Sequence, residues 1–198
     1  MSDYTASEGL WLLDQAQRRY EHGAARCAED DEVAELLHTC RVLYAAIIQR
    51  AQAAFQRAVQ QEGWPPEGVR RQTQTFDTSV APALSERRKV AYFLVDSLRY
   101  EMGRELAEAL AGFGAVTVEA AVSILPTTTP CGMAALMPGA DGTFALVEQR
   151  GELVPALGAT LLPAVAERKH LLAARYGDRQ LDLTLEAVLM ALGAADEI

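Results

Sequence analysis

Six consecutive apolar residues, Val90-Ala91-Tyr92-Phe93-Leu94-Val95, run directly into an aspartate, Asp96. The run is rich in β-formers and shows no polar alternation, so it reads as a strand buried on both faces of a parallel sheet. A helix is expected next, from about Ser97 to Ala111. Leu98, Met102, Leu106, Ala109 and Leu110 form its apolar face, and Gly112 and Gly114 close it. Val116–Val122 follows as a second strand. Strand, helix and strand in this order are the unit of a doubly wound α/β sheet. The pattern therefore predicts parallel pairing of 90–95 with 116–122 through a right-handed crossover.

Upstream, the pattern is helical. A short amphipathic segment is expected from about Ser7 to Glu21, and Asp30-Asp31-Glu32 supplies an acidic start for a second helix. In that helix Val33, Leu36, Leu37, Cys40, Leu43, Tyr44, Ile47, Ile48, Ala51, Ala54, Phe55 and Ala58 recur at steps of three and four. Gly63 and Trp64-Pro65-Pro66 end it. About thirty residues make a rod of ~45 Å with one apolar stripe. The stripe can pack on the first helix and the α/β core, or serve as a docking face for a partner or a missing domain. The expected organisation is a helical arm (1–63), a Pro- and Gly-bearing linker (64–88) and an α/β domain (89–198). Within that domain, further helices are expected near Leu161–Tyr176 and Leu181–Leu192.

Composition narrows the function. Half the residues are hydrophobic and 23% are charged, which suits a globular chain with a core. The net charge of −9 opposes binding to nucleic-acid phosphates. Arg87-Arg88-Lys89 and Arg70-Arg71 are short clusters, so duplex nucleic acid is not an expected ligand. Cys27, Cys40 and Cys131 form no CxxC pair and their number is odd, which points to a reducing, cytoplasmic setting. The polar start MSDYTASEG is not a signal peptide, and no apolar run approaches the ~20 residues that span a bilayer.

Two elements carry candidate chemistry. Asp96 stands where the first expected strand ends, and open parallel sheets bind ligands outside the carboxyl ends of their strands. A carboxylate there can hold a metal, or it can cap the following helix. The second element is Leu125-Pro126-Thr127-Thr128-Thr129-Pro130-Cys131-Gly132. It is a turn leading into a short helix expected from Pro130 through Met137, stopped by Pro138-Gly139. A hydroxyl at a helix start sits beside unpaired N–H groups that attract phosphate, and a metal would make it a nucleophile. Gly132 would let an anion come close to the backbone. A threonine there can equally be an N-cap.

VDSLRYE, followed about thirty residues later by LPTTTPCGMAALMPG, resembles the PglZ domain of the alkaline-phosphatase superfamily, found in bacterial BREX-type phage defence. The resemblance is specific from about Lys89 to Gly139. The helical arm and DGTFALVEQRGELVPALG are compatible with it. It implies a parallel doubly wound sheet of alkaline-phosphatase type, present here in part and preceded by the arm. It implies that Asp96 binds a divalent metal, usually zinc. Laying the pattern P-T-x-T…T-G on Pro126 and Gly139 puts the nucleophile, which also touches metal, at Thr129 rather than Thr127 or Thr128. Arg99 matches a recurrent arginine that orients the aspartate or contacts phosphate. The superfamily takes further Asp and His ligands from the second half of its fold. Here the histidines are His22, His38 and His170, with Glu167 three residues before the last, and none is expected to be a ligand. The chain, ending at Ile198, is then expected to be part of a larger protein and inactive alone.

Three functions follow. The first is a metal-dependent phosphatase or phosphodiesterase module of a phage-defence protein, acting on a phosphate ester or a nucleotide-type substrate. The second is a non-catalytic assembly module that binds other defence proteins through the 31–62 helix. An ordinary nucleotide-binding Rossmann domain is disfavoured, since no GxGxxG follows either expected strand.

Overall fold

The computed structural model describes residues 2–27 and 31–195. Asp30 and Ile198 lie outside the described residues. The helices are α1 (Ser2–Thr5), α2 (Trp11–Ala24), α3 (Asp31–Glu62), α4 (Ala81–Ser85), α5 (Tyr100–Leu110), α6 (Thr129–Ala135), α7 (Val165–Tyr176) and α8 (Leu185–Ala195). The strands β1 (Phe144–Gln149), β2 (Glu152–Leu157) and β3 (Thr160–Leu161) lie between α6 and α7. The chain divides into two compact units, Met1–Arg71 with Val95–Val122, and Gln72–Leu94 with Ser123–Ile198.

In the first unit α3 has the expected bounds. Gly63, at φ 83°, ends it and donates its N–H to Val59 at 2.9 Å. The apolar stripe divides in two. Val33, Leu37, Cys40, Tyr44, Ile48 and Ala51 are half-buried, whereas Leu36, Leu43 and Phe55 are 63, 61 and 56% exposed. Contacts with α2 explain the covered part. The Tyr20 hydroxyl donates to the Leu37 carbonyl at 2.7 Å, and Arg41 forks onto Glu21 at 2.8 and 3.0 Å. Helix α2 also packs on α5. Arg18 and Arg19 both reach Glu105, and the Arg104 guanidinium lies 5.3 Å from the centroid of the buried Trp11 ring.

In the second unit, part of the Pro- and Gly-bearing stretch 64–88 is helical. A 3₁₀ turn at Gln72–Gln74 leads through Thr75 and a π-helical turn at Phe76–Val80 into α4. Thr73, Phe76 and Val80 are buried there, so this segment contributes to the core. The sheet is a hairpin plus a short third strand, antiparallel throughout, in the order β1-β2-β3. Arg150 and Gly151, at φ 53° and 84°, join β1 to β2. A two-residue loop with both φ positive matches the right-handed twist of the strands. The core brings together Ala134, Met137, Ala140, Leu157 and Leu162, with Phe144, Leu171 and Leu172 against them.

The expected parallel pairing is not what the described residues form. Neither 90–95 nor 116–122 is a strand, and the one bridge of 116–122 is an isolated parallel one between Arg71 and Val122. Val90, Phe93, Leu94 and Val95 are 38, 61, 37 and 53% exposed. An apolar run extends into a strand only where a neighbour takes up its backbone N–H and C=O groups, and no described residue does so. Helix α5 starts at Tyr100 rather than Ser97, because Ser97 adopts a left-handed backbone at φ 59° and Arg99 is extended. Among the described residues no helix is long and apolar enough to cross a membrane.

Hydrogen bonds from Arg18, and then from Arg19, hold the Glu105 carboxyl below the usual carboxylate range. A depressed carboxyl contributes stability that is complete above its unfolded value of about 4.3 and is lost as pH falls through its folded value. The thermal midpoint of the chain is therefore expected to drop more steeply below about pH 4 than that of the Glu105→Gln variant. Parallel acid limbs in circular dichroism melts would refute this contribution.

Candidate active site

Helix α6 carries the threonine-rich turn, and it is tied down at both ends. Ala134 and Ala135 have no exposed surface, and Cys131 is buried. With nothing larger than a methyl group at these two alanines, α6 comes close to the elements beneath it. At its C-terminal side the Tyr92 hydroxyl donates to the Leu136 carbonyl at 3.1 Å. Burial pushes the Tyr92 phenol up to about 12, so it remains a proton donor at neutral pH. Arg175 Nη1 donates to the Pro138 carbonyl at 3.2 Å, and the Gly139 N–H donates to Asp77 Oδ1 at 3.3 Å. Nearer the N-terminal side, the Gln72 side chain donates to the Gly132 carbonyl at 3.1 Å and accepts from the Ile124 N–H at 3.3 Å.

Thr129 is the first residue of α6, one before the expected Pro130, and Thr128 takes the N-cap position without a side-chain cap bond. Pro126, Thr127, Thr128 and Thr129 are all exposed. Gly139, at the far end of the motif, sits at φ 78°, and a Cβ there would meet Arg175 Nη1 at 3.0 Å. Gly132 is under no such constraint, since a Cβ would lie 3.5 Å from Gln72 Nε2.

Asp96 and Arg99 belong to the first unit. Asp96 is exposed, in a turn whose next residue, Ser97, is left-handed. Positive φ on a residue with a side chain is uncommon and strained, a condition that concentrates at functional turns. Asp96 stands three residues ahead of the N-cap position of α5, which Arg99 occupies. Arg99 Nη2 lies 2.8 Å from Oε1 of the fully buried Glu101, and Arg18 Nε lies 4.0 Å from the same oxygen. Neither carboxylate oxygen accepts a well-angled hydrogen bond among the described residues. Glu101 is therefore held by charge rather than by a directed bond, and Arg99 is its nearest cation.

His22 lies on α2, His38 on α3 and His170 on α7, and all three are exposed. Glu167 accepts the Ala164 N–H at 3.2 Å and so caps α7. Among the described residues no group of three or more His, Cys, Asp or Glu side chains is placed to hold a metal. Sequence reasoning gave no role to Gln72, Tyr92 or Glu101 in this arrangement. No local pattern marks Gln72. Tyr92 was assigned only to a strand, and Glu101 was quoted only as part of a motif.

Residues 75–193, more than half of the chain, match the family model of the BREX system PglZ alkaline phosphatase-like domain. The chain therefore belongs to the PglZ family of alkaline phosphatase-like domains. It is 32% identical over 87 residues to the alkaline phosphatase-like protein PglZ of Bacillus cereus (strain H3081.97), an alignment covering 43% of this chain and 10% of that protein. The matched part thus spans about a tenth of the curated relative's length. No solved structure matches the chain.

The Gly139 geometry gives a direct test. Gly139→Ala is expected to destabilise the chain by about 1–2 kcal/mol, from left-handed strain and displacement of Arg175 off Pro138. Urea unfolding measures this. A variant as stable as the parent would mean that the turn adapts without cost.

Proposed function

We propose that this chain contributes the nucleophile to a phosphoryl-ester hydrolase, of phosphatase or phosphodiesterase type, within a phage-defence protein. The observation that carries the reading is Thr129. In a chain of an alkaline phosphatase-like family, this exposed hydroxyl residue opens a helix anchored from below and at its C-terminal end. Thr129 Oγ1 attacks the phosphorus, the bond to the leaving oxygen breaks, and the hydroxyl proton passes through solvent to that leaving oxygen, which departs as an alcohol. Water then releases phosphate or its ester from the threonine. Arg99 is an auxiliary cation for the phosphoryl oxygens. Asp96, at the strained Ser97 turn, is the metal-binding carboxylate of the reading, and the substrate is a phosphate ester or a nucleotide-type compound.

The residues described here do not by themselves fit a metal, since no cluster of ligands is present among them. Zinc would need donors beyond Asp96 and Thr129, because a catalytic zinc ordinarily has three protein ligands and an open position. A longer protein would supply them. It would also supply the neighbours that draw 90–95 and 116–122 into a parallel, doubly wound sheet, preceded in the chain by the 1–63 arm. The setting is cytoplasmic. Other defence proteins are the partners, and duplex nucleic acid is not bound by this chain, whose charge is −9.

A second reading has its own observation. Leu36, Leu43 and Phe55 stay exposed along α3, which suits a non-catalytic module that assembles with other defence proteins. One assay separates the two readings: hydrolysis of a chromogenic phosphodiester by the 198-residue chain and by a longer protein containing it, with and without zinc. The short chain is expected to turn over very poorly. The longer protein should be active and should lose on the order of 10³-fold or more with Thr129→Ala. Phage defence that survives Thr129→Ala undiminished would favour the assembly reading. Robust turnover by the 198-residue chain, lost on Thr129→Ala, would overturn the need for outside ligands.

A further inference from the structure

We infer that Gln72 is a positioning residue for the Thr129 nucleophile, clamping the threonine turn from both ends through one carboxamide. The inference rests on the Thr129 reading above. Gln72 Oε1 accepts the Ile124 N–H at 3.3 Å, and Nε2 donates to the Gly132 carbonyl at 3.1 Å. Ile124 and Gly132 flank residues 125–131, the segment that holds Thr127, Thr128 and Thr129. The two partners fix the orientation of the amide. A backbone N–H can only donate and a carbonyl can only accept, so neither glutamate nor leucine can serve both at neutral pH. Gln72 is half-buried in the 3₁₀ turn that packs on α6, and it lies outside the matched family segment 75–193. The neighbouring 73, 76 and 80 positions are buried, which anchors the clamp to the core.

The consequence for catalysis is geometric. A displacement of about 1 Å at a reacting atom can cost on the order of 10²-fold in rate. Losing the clamp frees the turn to shift without removing any group that touches substrate. Gln72→Leu in the longer protein should therefore lower kcat by on the order of 10²-fold, with KM changed by less than about twofold.

Gln72→Glu gives a readout that a merely structural role would not move. Its carboxylate still accepts from Ile124 but faces the Gly132 carbonyl with lone pairs. Once protonated, it donates again. Hydrogen bonding to the neutral form raises a carboxyl pKa, so recovery should begin above the usual carboxylate range. The ratio of Gln72→Glu to parent kcat is expected to rise at least fivefold as pH falls from 7.5 to 5. The Gln72→Leu ratio should stay flat.

Amide exchange followed by NMR on the 198-residue chain reads the clamp without catalysis. Ile124 protection should fall about tenfold in Gln72→Leu, the loss of one ordinary hydrogen bond. The outcomes are distinguishable. If Thr129→Ala is as active as the parent, or the longer protein does not turn over, the nucleophile reading fails and the inference with it. If Thr129→Ala is inactive while both Gln72 variants keep parental kcat at every pH, the clamp alone is overturned. Unchanged Ile124 protection in Gln72→Leu would overturn it as well.

Discussion

The second unit depends on how closely α6 approaches the elements beneath it. Ala134, Ala135 and Ala140 have no exposed surface, and Met137 and Leu162 are almost fully enclosed among them. A backbone group that such packing encloses must find a partner, since an unpaired buried polar group costs about as much as a lost hydrogen bond. Tyr92, Arg175, Asp77 and Gln72 all bond through their side chains to the backbone in or beside α6. Packing and polar ties thus have one cause. Together they fix a helix of only one to two turns, which has little stability of its own.

The first unit solves a different problem. Its VDSLRYE segment brings a carboxylate, Glu101, fully inside, and surrounds it with arginines rather than with hydrogen-bond donors of fixed direction. A buried charge without directed partners is costly, and arginine beside it lowers that cost. The same arrangement ties Arg99 to its own helix. Ahead of it, the left-handed Ser97 breaks the chain direction directly after Asp96. The motif is therefore a turn with stored strain, a surface carboxylate and a tethered cation.

The helix that opens at Thr129 was legible because its signals are close in sequence. Proline and glycine bracket the threonine turn, and a proline suited to a first helical turn put α6 within one residue of its observed start. The long stripe of α3 was legible for the same reason, since a period of three and four needs no distant partner. The hairpin of β1 and β2 was not recognised, although Arg150-Gly151 is a short loop between two runs of mixed polarity. The π-helical stretch 76–80 was hidden by the Pro and Gly near it, and its buried Phe76 meets Tyr176, a hundred positions further along the chain.

The sequence by itself determined where α3 begins and ends, where α6 opens to within one residue, and which motif marks the family. Tertiary structure alone decided which apolar run becomes a strand. Val90–Val95 has the composition of a buried strand, yet it stays outside any sheet because strand formation requires hydrogen-bonding neighbours, and these are not encoded in the run itself. Tertiary structure also decided that Gln72, separated from Gly132 by 60 positions, would share a hydrogen bond with it. A carboxamide pairs with whatever backbone the packing brings within 3 Å or so, and no spacing rule in the sequence records that meeting.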